Sequence, residues 1–270
     1  MRARNQAFVF IVTVLLSSWG LELFMILNGG VGAFGPLWLV LLMCVPGLTS
    51  VALRLILKIG FADAGLRVRA PGDYGLAIGL PIFIAASTCV LSIALDIRVL
   101  DPITTSALGK LMPVLGSVLL LGLIGAFGEE LGWRGFLLPK LVGEVRHPYA
   151  LTGMIWAAWH LPLIAFGGFY ATADPLHMTL VYMIGILAMN LVFCELRIRS
   201  GSVWVATIAH AVHNFVLQFV VPVLILTQPG ARAKLWDEIA GDTGLIVAVL
   251  YACAYLLLRF FARARASARA

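Results

Sequence analysis

Apolar residues in this chain come in long, almost unbroken runs, without the three-to-four spacing of a surface helix or the alternation of a half-buried strand. Each run is close to the roughly 20 residues a helix needs to cross bilayer hydrocarbon. Eight can be drawn, at about 7–28, 36–57, 75–96, 111–138, 148–168, 176–195, 203–224 and 243–260. The connectors carry turn or charge signals: Gly29-Gly30, Phe61 to Tyr74, Asp96 to Lys110, Gly167-Gly168, Arg197 to Gly201, and Thr227 to Asp242. No internal repeat is visible. The pattern predicts an all-α polytopic membrane bundle of eight transmembrane helices, one transmembrane domain over 1–270. The run from Ala7 to Leu27 has no trustworthy small-residue cleavage site, so it is read as a first span and not as a removed signal.

Composition agrees. The chain is 61% apolar and 12% charged, with a mean hydropathy of +1.01, against about 25% charged in soluble domains. So little charge cannot cover a water-facing surface. Cys44, Cys89, Cys194 and Cys253 all lie inside apolar runs and read as packing residues, not as disulfides or a metal knot. The net charge of +6 points to sidedness. With eight spans, Arg98, Lys110, Arg232 and Lys234 fall on one side, and the other fifteen of the 19 basic residues fall on the side of the termini. Basic residues mark the cytoplasmic side, so the expected orientation is N-in and C-in. The C-terminal Arg263, Arg265 and Arg269 are read as contacts to anionic lipid heads. No nucleic-acid partner is expected.

Ionisable groups inside spans cost about 2.5–3.5 kcal/mol each on insertion scales and call for a reason. Here they are Glu22, Glu129, Glu130, Arg134, His160, Glu195, His210 and His213, with Asn190 and Asn214 as uncharged companions. Counted at 1.5 Å per residue from the expected cytoplasmic face, Glu129 lies about 14 Å deep, His160 about 18 Å, His210 about 10 Å and Asn214 about 16 Å. Three helices thus bring polar groups to a similar level. Glu130 and Arg134 are four apart on one helix and can pair. Glu129 points about 100° away, toward Trp133, and is left without the arginine. His210 and Asn214, also four apart, share a face. A carboxylate, two imidazoles and an amide suit hydrolysis. Glu129 with His160 can bind and deprotonate a water, and His210 with Asn214 can donate to an oxyanion. Glu129, His160 and His210 are equally a common zinc set with an open position, although the HExxH helix pattern is absent.

Glu129-Glu130-Leu131-Gly132-Trp133-Arg134 fits the pattern EExxxR, Trp156-Ala157-Ala158-Trp159-His160 fits FxxxH with Trp for Phe, and His210-Ala211-Val212-His213-Asn214 fits HxxxN. In these three motifs the chain resembles the CPBP family, the type II CAAX prenyl endopeptidases with bacteriocin-processing and Abi-type membrane proteins, over about 111–220. The resemblance implies an intramembrane, glutamate-dependent endopeptidase open to the cytoplasmic side. It implies Glu129 and His160 as water activators, His210 and Asn214 as the oxyanion site, and Glu130 and Arg134 as site organisers. The family is often labelled metalloprotease, and the sequence leaves zinc and metal-free chemistry equally open. The implied partners are membrane lipids and a peptide or protein substrate.

Each polar group also has a plainer reading as interhelical glue. His213 is better read that way than as catalytic. Glu22 belongs to no motif and has no partner in sequence. Glu195, beside Arg197 and Arg199, reads as interfacial. A non-catalytic scaffold, immunity or regulatory protein on the same fold is the alternative function. A proton-coupled transporter is disfavoured, because matched Gly/Pro-broken helices are missing. Compactness and the Ala/Arg-rich tail suggest a bacterial inner membrane.

Overall fold

The computed structural model describes residues 1–100, 105–170, 174–227 and 236–267. Arg232, Lys234 and Arg269 lie outside them, and the side chains of Lys110 and Arg265 are not described. The long helices are α1 (Ala3–Leu27), α2 (Pro36–Ile56), α3 (Pro71–Ala94) and α4 (Thr105–Gly132). A π turn (Trp133–Leu137) and the short α5 (Leu138–Leu141) continue α4. Then come α6 (Pro148–Phe166), α7 (Pro175–Ser200) and α8 (Val203–Asn214), the last extended by a π turn (Phe215–Val220) and α9 (Val221–Leu224). A π turn at Trp236–Ala240 leads to α10 (Leu245–Ser267). Proline opens α2, α3, α6 and α7 at the first helical position, where its missing N–H costs nothing. Gly201, at φ +66°, ends α7, and the Ser202 hydroxyl caps α8 by accepting from the Trp204 amide at 3.2 Å.

Eight spans are long and apolar enough to cross a membrane among the described residues: Ala3–Leu27, Pro36–Ile56, Pro71–Ala94, Leu115–Leu141, Pro148–Phe166, Pro175–Ser200, Val203–Val220 and Glu238–Ala264. This is a multi-pass membrane protein of all-α class. Leu16, Leu27, Ile56, Phe83, Phe166 and Leu256 stand well exposed on the outside of the bundle, a surface suited to lipid and not to water. The charged end of the sixth span departs from expectation. The helix runs past Glu195 to Ser200, and Glu195 and Arg197 are buried. Glu195 accepts from Tyr149 and Arg259, each at 3.3 Å, so protein partners stand in for the interface. A ribbon of β1 (Arg98–Leu100) and β2 (Ile225–Thr227), antiparallel, is also unforeseen. Three residues per strand are too few for a periodic signal.

Successive spans alternate in direction, and contacts at each end show it. At the end carrying the termini, the Val203 amide donates to the Gly65 carbonyl at 2.8 Å, and Asp63 binds both Arg54 at 2.6 Å and Lys140 at 2.7 Å. At the far end, the Val31 amide donates to the Gly167 carbonyl at 2.8 Å, β1 meets β2, and Tyr170 donates to Asp242 at 2.8 Å. The sixth span is the most enclosed, with 72% of its most apolar window buried. A close backbone approach joins α2 to α4. A Cβ on Gly128 would lie 2.7 Å from the Cys44 Cα and 2.8 Å from the Met43 carbonyl oxygen. Such small-residue contacts are how membrane helices gain packing where lipid offers no hydrophobic drive.

Two predictions follow from this packing. Gly128→Ala is expected to force α2 and α4 apart at a cost of about 1–3 kcal/mol, read as a lower thermal midpoint in detergent. The second concerns Asp63. Burial pushes its carboxyl up, but hydrogen bonds and charges from Lys140 and Arg54 outweigh that and hold it below its ordinary value of 3.8. A depressed carboxyl stabilises the fold above its unfolded pKa and loses that contribution as pH falls through the folded one. Asp63→Asn should therefore cost about 1–2 kcal/mol at neutral pH, discounted because Asp63 is partly exposed. It should also remove that part of the acid sensitivity below pH about 4, where the wild-type midpoint falls.

Candidate functional site

The end of α4 and its π turn carry the first motif. Glu130 Oε1 accepts from Arg134 Nη1 at 2.8 Å, both side chains fully buried, as the four-residue spacing predicts. The same oxygen lies 2.9 Å from His210 Nδ1 on α8. Arg134 Nη2 donates to Asn190 Oδ1 at 3.0 Å on α7, and the guanidinium carbon lies 4.3 Å from the Trp156 ring on α6. The amide of Asn190 donates in turn to the Tyr149 carbonyl at 2.7 Å. One ion pair therefore touches every motif helix. A carboxylate only accepts, so His210 Nδ1 is the donor to it, and Nε2 is left for other contacts.

Glu129 faces away from this pair. Its Oε2 accepts from the Trp156 indole at 2.6 Å and from Trp133, on its own helix, at 3.4 Å. Oε1 makes no hydrogen bond to the described residues. Trp156 occupies the position of the family's Phe, and that exchange is consequential because Phe has no N–H to give. A buried indole N–H needs an acceptor, and this was the sequence signal for the contact. On the next turn of α6, His160 Nδ1 lies 2.9 Å from the Trp156 carbonyl. A carbonyl also only accepts, so Nδ1 holds the proton and Nε2 carries the lone pair. The His160 ring is walled by Trp159 at 4.5 Å and Tyr182 at 5.2 Å.

Pro162 interrupts α6 two residues after His160, and α1 attends to the break. A proline in a helix releases the carbonyl four residues earlier, here Ala158, and the Trp19 indole donates to it at 3.2 Å. One helical turn along α1, Glu22 Oε2 accepts from the Leu163 amide at 3.2 Å, while its Oε1 is buried without a partner among the described residues. Pro139 does the same in the first motif's span. The Gly135 carbonyl, four residues back, accepts from Arg54 at 2.8 Å, and the Arg134 carbonyl accepts from Arg197 at 3.1 Å. Glu22 and Arg54 thus have roles that neighbouring spacing could not reveal.

Glu129, His160, His210 and Asn214 line one cavity of about 120 Å³, together with Glu22, Trp156, Tyr182 and His213. A water needs about 10–15 Å³ of such space, so several fit beside the carboxylate. His213 reaches this wall but is tied through Nδ1 to the Tyr251 hydroxyl of α10 at 2.9 Å, in keeping with its reading as helix glue. The three candidate zinc ligands share the cavity, yet among the described residues no three His, Cys, Asp or Glu side chains converge to hold a metal ion. On the termini side of Glu129 lies an aromatic cluster that does not itself line the cavity. Phe10 stacks on Phe136 at 4.9 Å and meets Trp133 edge-on at 5.9 Å, and all three are fully buried.

Residues 111–216 match the family model described as Type II CAAX prenyl endopeptidase Rce1-like. No curated protein matches the chain. The matched stretch contains all three motifs and every residue that binds the Glu130–Arg134 pair, and it supports membership of the CPBP family.

Proposed function

We propose that this protein is an intramembrane endopeptidase that uses Glu129 to activate water. The observation that carries the reading is the Glu129 carboxylate, held through Oε2 by two indoles, with Oε1 left toward a cavity that also holds His160, His210 and Asn214. The CAAX-type family match supports protease activity of the same class.

A water bound between Glu129 and the His160 Nε2 lone pair gives its proton to Glu129 as its oxygen attacks the peptide carbonyl carbon. The carbonyl π pair moves to the oxygen. His210, whose Nδ1 is anchored on Glu130, and the Asn214 amide are the hydrogen-bonding groups for that oxyanion. The C–N bond then breaks, and the proton held by Glu129 passes to the leaving amine. Glu130 and Arg134 position His210 and the end of α4. No step in this scheme requires a metal. Zinc bound by Glu129, His160 and His210 remains the competing scheme.

Glu129→Ala is expected to accumulate and unfold like wild type while losing about 10²–10⁴-fold in cleavage of a fluorogenic peptide library. Retained cleavage in that variant overturns the proposal. Wild-type cleavage should survive dialysis against a chelator, and its loss with recovery on adding zinc would move the mechanism to the metal scheme. Trp156→Phe removes one buried hydrogen bond to a charged group, so kcat should fall about 10–100-fold and the unfolding midpoint should drop by the equivalent of about 1.5–3 kcal/mol.

A further inference from the structure

A second cavity, of about 400 Å³, lies between α6, α7 and α10 at the end of the bundle that carries the termini. It shares no lining residue with the cavity around Glu129. Arg146 and His147, in the connector before α6, and Arg259, on α10, form its exposed rim. Neither Arg146 nor His147 has a side-chain hydrogen bond or ion pair among the described residues. Tyr255, on the α10 wall, meets the Tyr149 ring edge-on at 6.3 Å, and its hydroxyl has no hydrogen bond among the described residues.

The groups left open are donors: a guanidinium, a phenol, and an imidazole that keeps one N–H even when neutral. No acidic side chain lines the cavity. Glu195, buried behind the wall, accepts from Arg259 and Tyr149 at 3.3 Å each and offsets the charge of Arg259. Arg146 therefore supplies the net positive charge. The depths of these groups differ. Arg146 precedes the start of its span at Pro148, and Arg259 lies about 8 Å inside the end of the last span at Ala264. The polar layer of one leaflet is about 5–8 Å thick, so both stand at headgroup level. Leu191 and Tyr255 lie about 14 Å inside the ends of their spans at Ser200 and Ala264, at the level of hydrocarbon. A free phosphate would use the rim alone. An amphiphile uses the rim and the inner wall.

We infer that this second cavity binds the head group of an anionic phospholipid, its phosphate held by Arg146, Arg259 and the Tyr255 hydroxyl and its acyl chain laid along Leu191 and Ile198. Basic pockets between membrane helices take such head groups, and arginine meets phosphate with two parallel N–H bonds. Ile198 is exposed on the same wall, where a chain can leave toward the bilayer. The site also touches the segments that carry the motifs. The Tyr149 carbonyl accepts from the Asn190 amide at 2.7 Å, and Asn190 accepts from Arg134 at 3.0 Å. A lipid packed against Tyr149 backs the start of α6 at the point where it joins that chain of hydrogen bonds.

Native mass spectrometry of the full-length protein in a neutral detergent tests this, with phosphatidylglycerol, phosphatidylcholine and inorganic phosphate titrated separately and in competition. One phosphatidylglycerol should be retained about 10-fold more tightly than phosphatidylcholine. Arg146→Gln should weaken that tightest retention about 10-fold or more. Arg4→Gln, which removes an exposed charge at the same end of the bundle, should change it by less than about twofold. Tyr255→Phe should weaken it about 3–10-fold, and it carries the test should Arg146→Gln fail to accumulate. Equal losses in the two arginine variants, or equal retention of the two lipids, overturn the inference. Displacement of phosphatidylglycerol by inorganic phosphate at equal concentration assigns the site to free phosphate and overturns the lipid assignment. Lipid retention needs no turnover, so the result is independent of the endopeptidase reading.

Discussion

A guanidinium enclosed in a membrane-spanning bundle has no water to fall back on, so its neighbours must be built around it. Arg134 answers this with Glu130 on its own helix, Asn190 on α7, and the ring face of Trp156 on α6. Glu130 extends the set to His210 on α8. Breaking a buried pair by removing one partner costs several kcal/mol, and here the partners are the same side chains that fix the helices carrying His160 and Asn214. The pair registers four helices against one another. Positioning of the groups proposed to act on water is a by-product of satisfying one buried charge.

Much of this was legible in the sequence, because it depends on spacing along a single helix. The Glu130–Arg134 pair, the opposite aim of Glu129 and the common face of His210 and Asn214 all come from 3.6 residues per turn. The eight spans come from run length. What could not be read depends on how helices meet. Trp156 was visible as an aromatic in the place of another, but its N–H found Glu129 only once α6 packed on α4. Glu195 and Arg197 looked like the end of a span, because charge normally marks an interface. They are buried instead, since Tyr149, Asp63 and the Arg134 carbonyl supply partners inside the protein.

The prolines explain the polar residues that no motif claims. Pro162 and Pro139 each release a carbonyl within the bundle, and an unmet carbonyl there is costly. Trp19 closes the first break and Arg54 the second, with Glu22 holding the Leu163 amide beside the first. The α1 and α2 helices lie outside the matched stretch, yet they complete the backbone hydrogen bonding of the segments that carry His160 and Arg134.

The aromatic cluster on the termini side of Glu129 has an electrical meaning. A water-holding cavity that reaches the middle of a membrane shortens the insulating path, so an applied voltage drops mainly across what is left. Each elementary charge crossing that drop would gain about 2.3 kcal/mol per 100 mV. Phe10, Trp133 and Phe136, with no measurable exposure among them, put apolar rings into that remaining path. The charged groups packed at their level, Glu130 and Arg134, sum to zero. Apolar packing at that level adds to the barrier an ion would meet between the cavity and the termini side.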